Sequence, residues 1–184
     1  MAKMESILSS LGKRFGVLAE SNTQQLTVIA SNSDVAVGDI FLLPCQRGRP
    51  RFYIFRTTQY ANVMNRTIEQ NDVARNKLTM PDSYLSANLQ EEQLIELKGM
   101  VMGYSEYVES SDSWTFHRPR RLPQHLTDVY IVNPTEPGII DAMREILREQ
   151  LGTGIYVGDL LAGEQSLKGV PVYMPPFALS HHIG

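Results

Sequence analysis

The sequence predicts a mainly β fold built around a small barrel, on three observations. Short apolar or alternating runs recur through residues 14–133, separated by Gly, Pro, Asn and Ser turns. Strands at that density favour a barrel or sandwich over a parallel sheet. Gly99 and Gly103 fall inside the longest of these runs, where a barrel strand has to bend or bulge. The run Val35-Ala36-Val37-Gly38-Asp39 pivots on a glycine directly ahead of the apolar Ile40-Phe41-Leu42-Leu43, as a chain does when it turns a barrel corner.

The elements follow in order. Residues 1–13 form an arm or short helix, with Met4, Ile7, Leu8 and Leu11 at helical spacing and Gly12 as a stop. The barrel region, 14–133, opens with strands over 15–19 and 25–30, joined through Ser21-Asn22-Thr23, and continues with strands over 40–43 and 51–57. Gln46-Arg47-Gly48-Arg49-Pro50 is the polar turn between the last two. Residues 61–93 then turn polar and helix-compatible, too long for a plain hairpin loop, and read as a helical insertion on the barrel rim. Strands return over 94–108, 113–116 and 127–132. Residues 134–152 form the clearest helix, with Thr135 as N-cap, an apolar stripe of Ile139, Met143, Ile146 and Leu147, and Gly152 as the stop. Beyond it lie two short strands, 155–157 and 170–174, around a Gly/Glu/Lys-rich turn.

The chain has 184 residues, enough for one fair-sized domain or a domain with part of another. Hydrophobic content of 42% and charged content of 20% describe an ordinary globular chain without a disordered signature. A net charge of −3 lacks the basic excess that nucleic-acid binders usually carry. The single cysteine, Cys45, excludes an internal disulfide and a thiolate-rich metal site, and points to a cytoplasmic location. No segment approaches the ~18 apolar residues of a membrane span, and residues 1–13 lack a signal-peptide core, so no membrane partner is expected.

Catalytic chemistry finds little purchase. His117, His125, His181 and His182 stand in no metal-binding spacing. Ser110, Ser111 and Ser180 lack a nucleophile elbow. Asp141, Glu145 and Glu149 alternate with arginines as on a solvated helix face. Neither a catalytic nor a metal-binding residue is assigned. The one constellation with a functional shape is Arg118, Arg120 and Arg121, preceded by Trp114 and Phe116. Arginines beside aromatics can hold phosphates and stack on bases, or can anchor an acidic patch on a neighbouring subunit; a solvated loop has the same composition. Arg47, Arg49 and Arg51 form a second, weaker cluster.

The last stretch, 152–184, ends on the apolar push Phe177-Ala178-Leu179-Ser180-His181-His182-Ile183-Gly184, and reads as a chain cut in mid-element. Gly154, Gly158, Gly169, Pro171, Val172, Leu179, His182 and Gly184 together resemble the run-in to the nucleotide-binding core of the HerA/FtsK group of hexameric P-loop motor ATPases. The upstream region is similar, as a pattern, to the small N-terminal β-barrel of HerA-type proteins, a barrel also found at the start of rotary ATP synthase subunits. This resemblance implies that 153–184 begins a RecA-like α/β ATPase core whose phosphate-binding (Walker A) loop follows Gly184. It implies ATP and Mg as ligands of the full protein, none of them held by this stretch. It also implies a homo-hexamer that moves DNA through its ring and docks a nuclease or other effector, in DNA end processing or anti-phage defence. No G-x-x-x-x-G-K-[ST] occurs in the 184 residues, so the resemblance gives this chain the role of assembly and docking. The alternative is a free-standing barrel that grips single-stranded nucleic acid through Arg118–Arg121.

Overall fold

The computed structural model describes residues 2–11, 14–22, 25–30, 34–46, 48–63, 94–136, 138–147 and 154–174. Its elements are α1 (Ala2–Ser9), β1 (Gly16–Ser21), β2 (Gln25–Ala30), β3 (Ile40–Cys45), β4 (Arg51–Val63), β5 (Leu94–Val108), β6 (Ser113–His117), β7 (Asp128–Ile131), α2 (Ile139–Ile146), β8 (Ile155–Ala162) and β9 (Gln165–Met174).

Six strands close into a barrel. Neighbours run β1-β2-β5-β4-β3-β7 and back to β1, every pair antiparallel. Closure removes the open sheet edges that would otherwise invite foreign strands. β5 makes this possible by serving two neighbours on one edge: Ile95–Met100 pairs with β2, and Tyr104–Val108 pairs with β6 outside the barrel. The β4–β5 ladder slips register at Ile54/Phe55 and Thr57/Gln59, and Gly99 sits so close to the Arg56 backbone that a Cβ would overlap its carbonyl. The bulge expected near Gly99 is thus present as a slip in register, and the close approach of the paired β4 backbone is what requires a glycine there.

The barrel strands separate two apolar clusters. Phe15, Phe41, Tyr53, Phe55, Leu97 and Val129 belong to the interior. On the outer wall, Ile40, Leu42, Phe52 and Ile54 are covered by α1, α2, β6 and the β8–β9 hairpin. β3 and the first half of β4 are thus buried on both faces.

Two expectations are corrected. Helix α2 starts at Gly138 in the left-handed region (φ 81°), not at Thr135. The amide and hydroxyl of Thr135 both donate to Asn133 Oδ1, at 3.0 and 2.8 Å, which closes a separate turn first. The polar run 165–169 is strand, not turn: the connection is Gly163-Glu164, and Leu167 points into the outer cluster while Ser166 and Lys168 face solvent. β8 and β9 pair with each other as an antiparallel hairpin laid on the barrel wall, and no α/β core is present among the described residues. Of the expected rim insertion over 61–93, residues 61–63 continue β4; the rest lies outside the described residues, as do 175–184 with His181, His182 and the final apolar run.

Candidate interaction surfaces

The arginine-rich segment leaves β6 and lies across one end of the barrel. The His117 ring packs on Tyr104, with centroids 5.1 Å apart, and Tyr104 packs on Tyr53 inside the barrel at 5.4 Å. Tyr53 donates its hydroxyl to the Leu122 carbonyl at 3.3 Å, and burial pushes its pKa up, which keeps it a neutral donor. On the far side, Ser21 Oγ donates to the Pro123 carbonyl at 3.3 Å. The Leu126 amide donates to Leu18, and His125 Nδ1 lies 2.9 Å from the Ala19 carbonyl. Backbone anchored at both sides leaves the arginine side chains outside: Arg118, Arg120 and Arg121 are all exposed, and none forms an ion pair with a described residue.

The aromatics do not join them. Trp114 is 1% exposed, packed between Phe52 and Tyr107 at centroid distances of 5.3 and 5.5 Å. Its Nε1 finds no hydrogen-bond partner among the described residues. Phe116 is half-buried against Gly103. Trp114 and Phe116, two apart, share the inward face of β6, a pattern that strand alternation could have revealed. The structure therefore keeps three of the five expected contact residues on the surface and assigns Trp114 to the core.

The second arginine cluster is already engaged. Arg51 Nε and Arg49 Nη1 bind the two oxygens of Glu106 at 2.5 and 3.1 Å across the β4–β5 ladder, where Arg51 and Glu106 are register partners. Burial works to raise the Glu106 pKa, but the hydrogen bonds and charges of the two arginines outweigh it and hold the carboxyl below its ordinary range. Arg47 lies outside the described residues.

A surface that sequence reasoning missed lies on the hairpin. Ile155, Tyr156 and Val157 are each more than half exposed, and Leu161 and Val172 stand out beside them. In 155–157 both faces of the strand are exposed, so the open end of the hairpin stands clear of the barrel. Where it meets the wall, Met102, Phe116, Leu147, Val170 and Tyr173 line an apolar cleft of about 200 Å³. These residues looked like strands leading onward into a further core, which is why their exposure was not expected.

Among the described residues no three His, Cys, Asp or Glu side chains converge as a metal site, and no helix is long and apolar enough to cross a membrane. Cys45 is a free, half-buried thiol at the end of β3. No family model matches the chain, and no curated protein matches it, so its reading rests on the geometry and charge above.

Proposed function

We propose that this chain is an assembly and partner-docking module. The observation that carries this is the hairpin surface: five large apolar side chains, Ile155, Tyr156, Val157, Leu161 and Val172, stand exposed together on one hairpin. Patches of that kind on a folded domain mark contact sites for other proteins. The finer reading makes the chain the N-terminal barrel of a HerA-like, ATP-driven DNA translocase that forms a hexamer and works with a nuclease or other effector. What supports it is the residue pattern from Gly154 to Gly184 together with a closed barrel followed by a helix. In that reading ATP and Mg belong to a loop after Gly184, and this chain supplies contacts but no catalytic group.

Native mass spectrometry of the complete gene product tests both levels. A ring-sized oligomer whose reading frame carries a glycine-rich loop with Lys-Ser/Thr soon after Gly184 is expected. A frame without such a loop removes the translocase, and a strict monomer at micromolar concentration removes the assembly module.

A second reading, single-stranded nucleic-acid binding, is favoured by the three exposed arginines on one barrel end and opposed by the burial of Trp114, which removes the stacking platform. It predicts a steep salt dependence of single-stranded DNA binding that the pair Arg120→Ala/Arg121→Ala abolishes. Unchanged binding in that double variant rejects it.

A further inference from the structure

The β8–β9 hairpin has two outer edges, and only one of them is defended. Ala162, Leu167 and Val170 seat the hairpin in the outer cluster, and α2 flanks β9, where Arg144 donates Nε to the Gly169 carbonyl. β9 also carries the devices that stop an edge from pairing. Lys168 is exposed, Pro171 has no N–H to donate, and Lys168, Gly169 and Val170 fall out of the ladder between Leu167 and Pro171. Charge, proline and bulge each blunt a sheet edge.

β8 has no lysine, arginine or proline in Ile155–Ala162. Its one charged residue, Asp159, turns to its own hairpin and accepts the Gly169 amide at 3.3 Å. Among the described residues no third strand joins the hairpin, and no backbone hydrogen bond reaches β8 from another element. Ile155, Tyr156, Val157 and Leu161 are each at least half exposed along this strand. The register slip at Val157 adds no charge. An uncharged edge rich in β-branched and aromatic residues is the kind that accepts another strand.

We infer that β8 of one copy pairs antiparallel with β8 of a second copy, joining two hairpins into one four-stranded sheet about a two-fold axis. This deepens the assembly reading and rests on it. Of the hairpin's two edges only β8 is open, so like meets like, and the contact is two-fold. With no free charge along it, the edge does not repel its counterpart. The area is also sufficient. Ile155, Tyr156, Val157, Leu161 and Val172 are about half exposed. At roughly 100 Å² apiece, two copies would cover about 1,000 Å², where specific interfaces begin. Such a contact closes after two copies, and a ring would need a further surface.

Sedimentation velocity of the full chain, with hydrogen exchange read in β8, tests it. The wild type should form at least a dimer at micromolar concentration, and high salt should not dissolve it, since no ion pair holds it. Amides of Ile155–Ala162 should exchange more slowly in the concentrated sample than in the dilute one. Two variants charge the edge: Tyr156→Lys/Leu161→Lys and Tyr156→Glu/Leu161→Glu. Alone, each should fall below wild-type size. Mixed in equal amounts they should recover it, because a lysine edge then faces a glutamate edge. Misfolded variants would not rescue each other, and neither would a contact between β8 and a different surface of the chain. If both variants alone keep wild-type size, the inference fails while the assembly reading stands on another surface. A dimer whose β8 amides exchange as fast as the monomer's also overturns it, and gives the contact to the face of the hairpin. A wild type that stays monomeric under every condition overturns both the inference and self-assembly. Slow β8 exchange in that monomer would assign the edge to another segment of the same chain, and fast exchange would leave it to a different protein.

Discussion

The interior of the barrel and the layer on its outer wall are built from the same strands yet held together differently. Along β3 and β4, Phe41, Leu43, Tyr53 and Phe55 turn inward, and Ile40, Leu42, Phe52 and Ile54 turn outward. The inner cluster is ringed by backbone ladders that close on themselves. The outer one is assembled from pieces far apart in the chain, and its polar ties are few. Ser105 Oγ donates to the Ile146 carbonyl at 2.5 Å, Arg144 Nε donates to the Gly169 carbonyl, and Lys3 pairs with Asp112 at 2.9 Å. A closed ladder fails as one unit, whereas a layer joined by side chains can open in parts. Cooperativity should therefore differ across a single sheet.

Phe41→Ala is the strongest way to test the inner half of that contrast. Its ring sits between Phe15 and Phe55 at 5.1 and 5.7 Å, fully buried. Its loss should cost ~4 kcal/mol and lower the urea midpoint of the whole protein. Leu167→Ala, also fully buried but on the hairpin, should cost nearer ~2 kcal/mol, because the hairpin can settle onto the wall. Hydrogen exchange separates the two. The second variant should speed exchange in β8 and β9 and leave β2 and β5 protected. Equal acceleration in all four strands would mean that the two layers are one unit.

Gly99→Ala attacks the crossing on which the closed ladder depends. The added methyl would run into the carbonyl of Arg56 and the ring of Phe55. A ring can turn aside, but the β4 backbone is pinned by β3 on its other edge, so about 2 to 3 kcal/mol should be lost, read as a lower thermal midpoint. A variant as stable as the wild type would show that β5 can slide past β4, and that the crossing is looser than the register implies.

The inner layer was far more legible in the sequence than the outer. Alternation in 94–108, with Gly99 inside it, predicts β5 to its observed ends because its first half faces a core on one side only. Ile40-Phe41-Leu42-Leu43 is apolar throughout, and such a run marks a strand without saying that a second core waits outside. Trp114 groups with the arginines in sequence because only three residues stand between it and Arg118; the strand that turns it inward pairs with β5 at Tyr107. Glu106, which occupies Arg49 and Arg51, stands 55 positions beyond Arg51. Residues 165–169 look like a turn because only Leu167 among them seeks the core. In each case the deciding partner was distant in sequence, and local pattern carries no register between distant strands.

The smallest effect tests the two ends of the barrel through pH. Arg51 and Arg49 more than offset burial at Glu106, so its folded pKa lies below the ordinary value. Its contribution is then present above that ordinary value and is lost as the pH falls through the folded one. Asp39, at the opposite end, is shifted the other way. Burial raises it, the Ala36 amide only partly offsets this, and Asp34 and Glu164 add repulsion. A raised carboxyl favours the fold at low pH and loses that advantage as the pH rises through its folded value. The two groups therefore impose opposite slopes on stability in the acid range. Glu106→Gln should cost about 1 kcal/mol near neutrality, by weakening a charged hydrogen bond, and should flatten the rise of stability with pH. Asp39→Asn can still accept the Ala36 amide, and it should steepen that rise by removing the opposing slope. Urea midpoints across the acid range would separate the variants, and a change of the same sign in both would show that the two ends do not differ in electrostatic environment.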